Sequence, residues 1–213
     1  MSNHHADTAL PPIDPLFEGV TRYVDPYTGC ATAKLLPGQF FVGGARDCIT
    51  TVVGACLTVC LYDAGAGCGG MLQLLLPAPQ GRASAYVEAG FDAIEREAFV
   101  RMEALVGCVE RAGGRREHIV AKLFGAAVID PVMSESARET LRLVRDYLRT
   151  ANIREESADT GLLQARKVMF YPAEGRVRLK KLGDLPNDTL PRRERDYYAG
   201  ALQRRAAARP RGA

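Results

Sequence analysis

The fold of this chain is decided by residues 50–77, TTVVGACLTVCLYDAGAGCGGMLQLLLP. From residue 49 to residue 62 the segment is apolar and rich in β-branched side chains, which favour extended structure, and Gly54 interrupts it. Residues 63–67, DAGAG, are typical of a turn, and the apolar run resumes at residues 71–76. The sequence therefore predicts two neighbouring strands joined by a tight loop.

Further strands and two helices are predicted around this core. Apolar residues recur every three or four positions between residues 91 and 112, which indicates a helix that ends at Gly113-Gly114. Ser136 and Glu139 have the spacing of a capping box, and the helix that follows is predicted to end near Thr150. Extended segments are predicted at residues 31–36, 39–42 and 118–124, and a hairpin is predicted at residues 165–182. Strands broken by only two clear helices favour an α+β domain of stacked layers.

One folded domain is expected at residues 17–185, between a disordered leader at 1–16 and a basic, mostly disordered tail at 186–213. From residue 192 onward the chain carries seven arginines and two acidic residues, a local charge of +5, while the whole chain has a net charge of +3. This distribution favours a solvated tail over an anion-binding arm, and it argues against a dedicated nucleic-acid-binding protein. Within the tail, Tyr197, Tyr198 and Leu202 are candidates for a short docking helix.

The composition excludes several classes of protein. With 213 residues, 47% of them hydrophobic, the chain is long and apolar enough for a sizeable core. No apolar run approaches the roughly 18 residues of a membrane span, and the N-terminus lacks the features of a secretory signal, so cytoplasmic residence without membrane insertion is expected. The six cysteines are expected to be reduced. With three histidines, two of them in the leader, neither a metal site nor a cofactor is expected.

Cys56 is the candidate nucleophile. If the predicted hairpin is centred between Ala64 and Gly65, Cys56 lies opposite Gln73, and directly paired side chains are neighbours. The break at Gly54 would leave backbone N–H groups free to hold a developing oxyanion beside the sulfur. The competing interpretation is that Cys56, like a buried Cys60, is only a small apolar core residue.

Five segments together resemble the chemoreceptor glutamine deamidase family, CheD, in the right order from Tyr23 to Leu182. The segments are LLPGQFFV at 35–42, TTVVGACLTVCLYD at 50–63, GGMLQLLLP at 69–77, AKLFGAA at 121–127 and DTGLLQARKVMFYPAEGRV at 159–177. The resemblance implies a cytoplasmic, single-domain α/β/β sandwich that hydrolyses glutamine side chains in the cytoplasmic domains of chemoreceptors to glutamate, releasing ammonia. It also implies a second partner, a CheC-type phosphatase.

The resemblance also implies which residues form the site. The family's nucleophile falls on Cys56 and its catalytic threonine on Thr50, six residues earlier. The family's general base is a histidine, and Gln73 stands at that position here. A glutamine can orient a neighbour through hydrogen bonds, but it cannot take or deliver a proton.

Other departures from the family pattern are milder. Leu162, Ala165 and Ala126 stand where the family usually has glycine, so each replacement is expected to reshape the surface near the site or the partner interface. Arg166 matches the pattern and is compatible with either a functional role or a plain solvated strand. His118 is the other ordered histidine, and a position at the surface is favoured over one at Cys56.

Two functions remain open at this stage. The first is a cysteine-dependent deamidase that acts through a thioester. The second is a catalytically weakened adaptor that binds chemoreceptors or a CheC-type phosphatase, and the missing histidine at position 73 motivates it.

Overall fold

The computed structural model describes residue 10 and residues 13–76, 91–129, 133–183 and 188–207, with the backbone alone at 91–94 and 205–207. Ten strands and three α-helices make up this part of the chain. The strands are β1 Thr21–Val24, β2 Ala31–Lys34, β3 Phe40–Gly43, β4 Asp47–Val53, β5 Leu57–Asp63, β6 Cys68–Leu74, β7 Val120–Gly125, β8 Arg154–Thr160, β9 Arg166–Tyr171 and β10 Arg176–Lys181. The helices are α1 Phe91–Arg111, α2 Ser134–Thr150 and α3 Thr189–Ala207.

The strands form two five-stranded sheets. The outer sheet has the order β1-β2-β4-β9-β10, and the central sheet has the order β3-β6-β5-β7-β8. Helices α1 and α2 pack together on the central sheet. The hydrophobic core includes residues from both sheets and both of these helices. The expected α+β, layered α/β/β sandwich is therefore confirmed.

The predicted core of the fold is present, with β5 and β6 buried along their whole length. Between them, the Asp63 carboxylate accepts hydrogen bonds from the N–H groups of Gly65 and Ala66, at 2.9 and 3.1 Å. This turn is centred one residue later than the sequence predicts. The predicted register was therefore wrong, because Thr58 and not Cys56 lies opposite Gln73.

Several predicted elements differ in detail. Ser136 lies inside α2 and not at its N-cap, which is Met133, because the helix begins at Ser134. Strands β1 and β8 were not predicted. Strand β8 has the sequence REESADT with five consecutive exposed residues, so it carries no apolar alternation that would indicate a strand. The predicted leader, residues 1–16, lies mostly outside the described residues. Its last two residues and Phe17 form a short 3-10 helix, and Phe17 is buried in the core.

The largest correction concerns residues 186–213, which were predicted to form a mostly disordered tail. Residues 189–207 form α3, a longer helix than the one expected around Tyr197 and Tyr198. Leu190, Glu194, Tyr198 and Ala201 are buried against the rest of the protein. These residues are four, four and three positions apart, so they lie on one face of the helix. Because one of them is charged, the face does not show a regular hydrophobic periodicity in the sequence.

None of the helices in the described parts of the chain is long and apolar enough to cross a membrane.

Candidate functional site

The candidate site lies where the chain crosses from one sheet to the other. Strand β4 belongs to the outer sheet and β5 to the central sheet, and Gly54, Ala55 and Cys56 connect them. Two carbonyl groups of this connection accept backbone hydrogen bonds. Gly54 O accepts one from Ala127 N at 2.8 Å, and Cys56 O accepts one from Ala126 N at 2.7 Å. Its three N–H groups all donate to a single side chain, that of Glu194. The crossing thus places three backbone donors beside the Cys56 thiol.

Glu194 of α3 occupies this cradle of donors. Its carboxylate accepts hydrogen bonds from the backbone N–H groups of Gly54 and Ala55, both at 2.8 Å, and from that of Cys56 at 3.3 Å. The side chain has no solvent exposure. Burial raises the pKa of Glu194, although the three backbone donors act in the opposite direction. The cradle is therefore a site built for a carboxylate or an oxyanion.

Glycine at position 54 leaves room for two side chains that pack closely on the backbone there. A Cβ atom there would collide with the side chain of Ile129 and would lie 2.8 Å from a carboxylate oxygen of Glu194. The residue thus lets the backbone approach a ligand in the cradle more closely than any other amino acid would allow.

The Cys56 thiol is completely buried in this state of the protein. Burial raises its pKa well above the ordinary value, and the nearby Glu194 carboxylate raises it further. Arg193 and Gln73 lower the pKa but do not outweigh these two effects. The thiol form of Cys56 is therefore favoured over the thiolate, the form in which a cysteine acts as a nucleophile.

Gln73 lies beside Cys56 despite the altered register of the hairpin. Its Oε1 accepts a hydrogen bond of 2.7 Å from the hydroxyl of Thr51. Its Nε2 is buried and has no hydrogen-bond partner among the described residues. Gln73 lowers the pKa of the Cys56 thiol, as a hydrogen-bond donor that favours the thiolate does. Gln73 can therefore stabilise the charged nucleophile, although it cannot act as a base.

Thr50 and Thr51 lie on opposite faces of β4, as neighbours in a strand must. The Thr50 hydroxyl donates to the carbonyl of Val168 at 2.9 Å. The Thr51 side chain reaches Gln73 across the space between the sheets. The structure thus brings Cys56, Gln73 and Thr51 together, and it does not bring Thr50 into contact with Gln73.

His118 does not lie at this site. Its side chain is half exposed, and its Nδ1 is 3.8 Å from the Asp63 carboxylate at the far end of β5. Seven residues of β5 separate that end from Cys56, a distance of roughly 20 Å at about 3.3 Å per residue. His118 is therefore excluded as the direct replacement for the missing base.

Arg166 is a buried structural residue. It has no exposed side-chain surface and forms an ion pair with Asp159 at 2.6 Å. It also donates hydrogen bonds to the carbonyl groups of Gln164 and Gly161, at 2.7 and 3.0 Å. These contacts join the start of β9 to the loop after β8. The solvated-strand interpretation of Arg166 was therefore wrong, because the side chain is buried and ion-paired.

All six cysteines fall within the described residues and are free thiols, as expected. In the same parts of the chain, no three histidine, cysteine or acidic side chains lie close enough together to bind a metal ion.

Glu194 and Thr51 are the two site residues that sequence reasoning missed. Glu194 stands in a segment rich in arginine, which was interpreted as a solvated tail. Its position between Leu190 and Tyr198, four residues from each, was the available signal, since it places the carboxylate on the buried face of a helix.

The fold and the site together define a layered α+β protein with a buried cysteine beside a backbone cradle for a carboxylate or an oxyanion. Comparison with known proteins extends this description. Residues 90–181 match the family described as CheD chemotactic sensory transduction. The "Probable chemoreceptor glutamine deamidase CheD" of Thiobacillus denitrificans is 38% identical over 178 residues, covering 82% of this chain and 86% of the relative.

A second relative with the same name, from Halorhodospira halophila, is 33% identical over 188 residues, which are 88% of this chain and 87% of that protein. The chain belongs to the CheD family. Among solved structures, the Neisseria meningitidis protein NMB0706 gives a TM-score of 0.35 at 9% identity, covering 63% of this chain and 64% of that one. The Bacillus licheniformis protein YfiH gives a TM-score of 0.30 at 15% identity, covering 54% and 46%.

Proposed function

We propose that this protein is a glutamine deamidase that acts on the cytoplasmic domains of chemoreceptors, with Cys56 as its nucleophile. Two relatives that match most of the chain carry the name chemoreceptor glutamine deamidase. The observation that carries the proposal is the cradle, because the N–H groups of Gly54, Ala55 and Cys56 converge on a carboxylate directly beside a thiol. A glutamate carboxylate is the product of glutamine deamidation.

The reaction follows from this arrangement. The Cys56 sulfur attacks the side-chain carbonyl carbon of a glutamine, and the carbonyl oxygen becomes an oxyanion held by the three backbone N–H groups. The carbon–nitrogen bond then breaks, ammonia leaves with the proton it needs, and a thioester remains. Water attacks the thioester, which releases glutamate and restores the thiol. Glutamine and water are thus converted to glutamate and ammonia, with no redox step and no cofactor.

Gln73 and Thr51 support the nucleophile in this proposal. The Thr51 hydroxyl holds one end of the Gln73 amide, and the other end faces the sulfur and favours its thiolate form. Thr51 thereby takes the place that the family resemblance gave to Thr50. Proton transfer is left to water, so turnover is expected to be slow, since loss of a general base typically costs roughly 10²–10⁴-fold in rate.

Mass spectrometry of a receptor cytoplasmic fragment tests the proposal. The fragment is incubated with the wild-type protein, with Cys56→Ala and with Gln73→His, and conversion of glutamine to glutamate is measured at each site. We expect slow conversion by the wild type, none by Cys56→Ala and faster conversion by Gln73→His. Conversion that persists in Cys56→Ala would overturn the assignment of the nucleophile.

The second candidate function is a binding protein that retains the fold with little chemistry. The uncharged side chain at position 73 is the observation that favours it. In that case only Gln73→His converts the fragment, while the wild type binds it or a CheC-type phosphatase. Either function places the protein in the cytoplasm, where these receptor domains lie.

A further inference from the structure

Helix α3 places a glutamate side chain where a substrate side chain has to react. Both carboxylate oxygens of Glu194 are held by the N–H groups that would hold the oxyanion, and the Cys56 thiol is adjacent. Glutamate has the same length as glutamine and is the product of its deamidation. While Glu194 is in place, no second side chain can enter the cradle.

The rest of α3 is fitted to the same surface. Leu190, Tyr198 and Ala201 are buried on the face that carries Glu194, and the Tyr198 hydroxyl lies 3.1 Å from that of Ser136 in α2. The Tyr197 ring packs on Gly38, where an added Cβ atom would lie 2.6 Å from a ring carbon. The surface beneath α3 is therefore a helix-binding groove with the candidate nucleophile in its floor.

The docking of α3 has a free-energy cost, because it buries the carboxylate of Glu194. Taking a carboxylate out of water is costly, and the cradle returns only part of this free energy through hydrogen bonds from neutral donors. The Arg193 guanidinium is nearby, yet its Nε has no partner among the described residues. A helix that presents a glutamine amide at this position avoids burying a charge, and its carbonyl oxygen can still accept from the N–H groups of Gly54 and Cys56, although its NH2 group would face the N–H of Ala55.

We infer that α3 is a built-in product mimic that occupies the substrate groove, and that a substrate helix replaces it to reach Cys56. This inference rests on the proposed deamidase function. It defines the substrate as a helix with a glutamine at the position of Glu194. Apolar residues four positions before it, and four and seven positions after it, occupy the places of Leu190, Tyr198 and Ala201.

The test measures how fast Cys56 is alkylated in the full-length chain. Iodoacetamide labelling followed by peptide mass spectrometry is applied to the wild type, to Glu194→Ala and to the control Asp196→Ala, which removes an exposed carboxylate from the same helix. We expect Glu194→Ala to label Cys56 about tenfold faster or more, because the substitution empties the cradle beside the thiol and removes the carboxylate that raises its pKa. Asp196→Ala is expected to label at the wild-type rate.

Equal labelling of Cys56 in the wild type and in Glu194→Ala would overturn the inference. Slower labelling in Glu194→Ala would also overturn it, because Glu194 would then be activating the thiol as a base. Cys60 and Cys68 serve as internal references, since both are buried away from α3. If they react together with Cys56, the substitution has opened the whole fold, and Glu194→Gln decides instead.

Glu194→Gln retains the size of the side chain and removes its charge. We expect it to raise the rate at Cys56 alone, and an unchanged rate would contradict the product-mimic inference. Labelling does not require turnover, so its outcome is independent of whether receptor glutamine is converted. Faster labelling of Cys56 without conversion of receptor glutamine would support the inference about α3 and contradict the deamidase function. Conversion without faster labelling would support the deamidase function and contradict the inference about α3.

Discussion

Gln73 is the residue on which the level of activity depends. It is completely buried, faces Cys56 and has an amide nitrogen without a hydrogen-bond partner among the described residues. A histidine at this position would bring a titratable nitrogen to the thiol and could carry its proton to the departing ammonia.

We therefore expect Gln73→His to raise the rate of deamidation by roughly 10²-fold or more, the usual contribution of a positioned general base. The rate is measured as ammonia release with a receptor fragment in excess. Gln73→Asn serves as the control, because it changes the side chain without adding a titratable group. A rate unchanged by Gln73→His would mean that position 73 is not where the proton is transferred.

Thr51 and Thr50 provide a matched pair of hydroxyl groups. Thr51→Val removes hydrogen bonds to Gln73 and to the Leu35 carbonyl, whereas Thr50→Val removes one to the Val168 carbonyl on the other face of β4. We expect Thr51→Val to lower the deamidation rate by up to about tenfold, because a hydrogen bond between neutral groups contributes about 0.5–1.5 kcal/mol, and Thr50→Val to change the rate less. A larger loss of rate in Thr50→Val would restore the role that the family resemblance implies.

Leu162 and Ala126 adopt backbone conformations that favour glycine, with φ of 61° and 49°. These are two of the positions at which the family resemblance implies glycine, so each replacement places a Cβ atom on a left-handed backbone. Left-handed geometry costs a residue with a Cβ atom about 1–2 kcal/mol.

Leu162→Gly is expected to raise the free energy of unfolding by about 1 kcal/mol, after the extra chain entropy of glycine is counted. The neighbouring Leu163 is also exposed and has no positive φ, so Leu163→Gly is the control and is expected to destabilise the protein. Urea denaturation measures both. A loss of stability in Leu162→Gly similar to that in Leu163→Gly would show that the strain is relieved elsewhere.

Among single residues, those defined by their local sequence were the easier to predict. Cys56 follows a Gly-Ala pair at a break between apolar strands, and this pattern alone indicated free N–H groups near a thiol. Glu194 was not predictable in the same way, because its role depends on a contact across 138 residues of chain. Thr50 and Thr51 show a different limit, since a shift of one residue in a strand exchanges its two faces.

At the scale of elements, the turn between β5 and β6 decides what lies opposite Gln73. The Asp63 carboxylate accepts hydrogen bonds from Gly65 and Ala66 and also from the N–H of Arg115, at 2.9 Å. The hydrogen bond from Arg115, followed by those from the turn, lowers the pKa of Asp63. Composition indicated this turn, but its centre depends on these hydrogen bonds and could not be read from residue types.

Asp63→Asn is expected to lower the stability by about 1–3 kcal/mol at pH 7, because an amide group would face an N–H donor. The folded-state pKa of Asp63 is depressed, so its carboxylate stabilises the fold above the unfolded value of about 3.9. This stabilisation is lost as the pH falls through the folded value. The difference between variant and wild type should therefore shrink in acid, as measured by urea denaturation across pH. A difference that stays constant would assign the loss to packing.

Strand β8 and helix α3 explain why some elements escaped prediction. Strand β8 lies at the edge of its sheet and has little buried surface, so it can consist mostly of polar residues. Helix α3 buries a narrow face that contains a charge. Elements that bury broad apolar faces, such as β5, β6 and α1, were predicted because the burial itself leaves the pattern in the sequence.

At the scale of the whole molecule, two sheets and α3 meet at one point. The outer sheet supplies Thr51, the central sheet supplies Gln73, and the crossing between them supplies Cys56 and the cradle. Helix α3 closes this point from outside. The layered core therefore holds the chemistry in place, and a separate, peripheral helix controls access to it.

Closure by α3 has a consequence for the pH dependence of thiol reactivity. The raised pKa of the buried Cys56 means that the thiolate of the closed protein forms only at higher pH than that of a free thiol, whose pKa is about 8.5. Wild-type alkylation at Cys56 should thus keep rising at pH values where the alkylation of a free thiol levels off. In Glu194→Ala the rise at Cys56 should shift to lower pH. Identical pH profiles in the two proteins would contradict this effect of Glu194.

The most direct test of the central claim uses the chain as its own substrate. The full-length variant that combines Glu194→Gln with Gln73→His places a glutamine amide in the cradle beside Cys56 and supplies a base. Peptide mass spectrometry then follows position 194 over time, with the same variant carrying Cys56→Ala as the control. The account predicts that the glutamine introduced at position 194 becomes glutamate only when Cys56 is present. An introduced glutamine that stays unchanged, or that converts equally without Cys56, would contradict it.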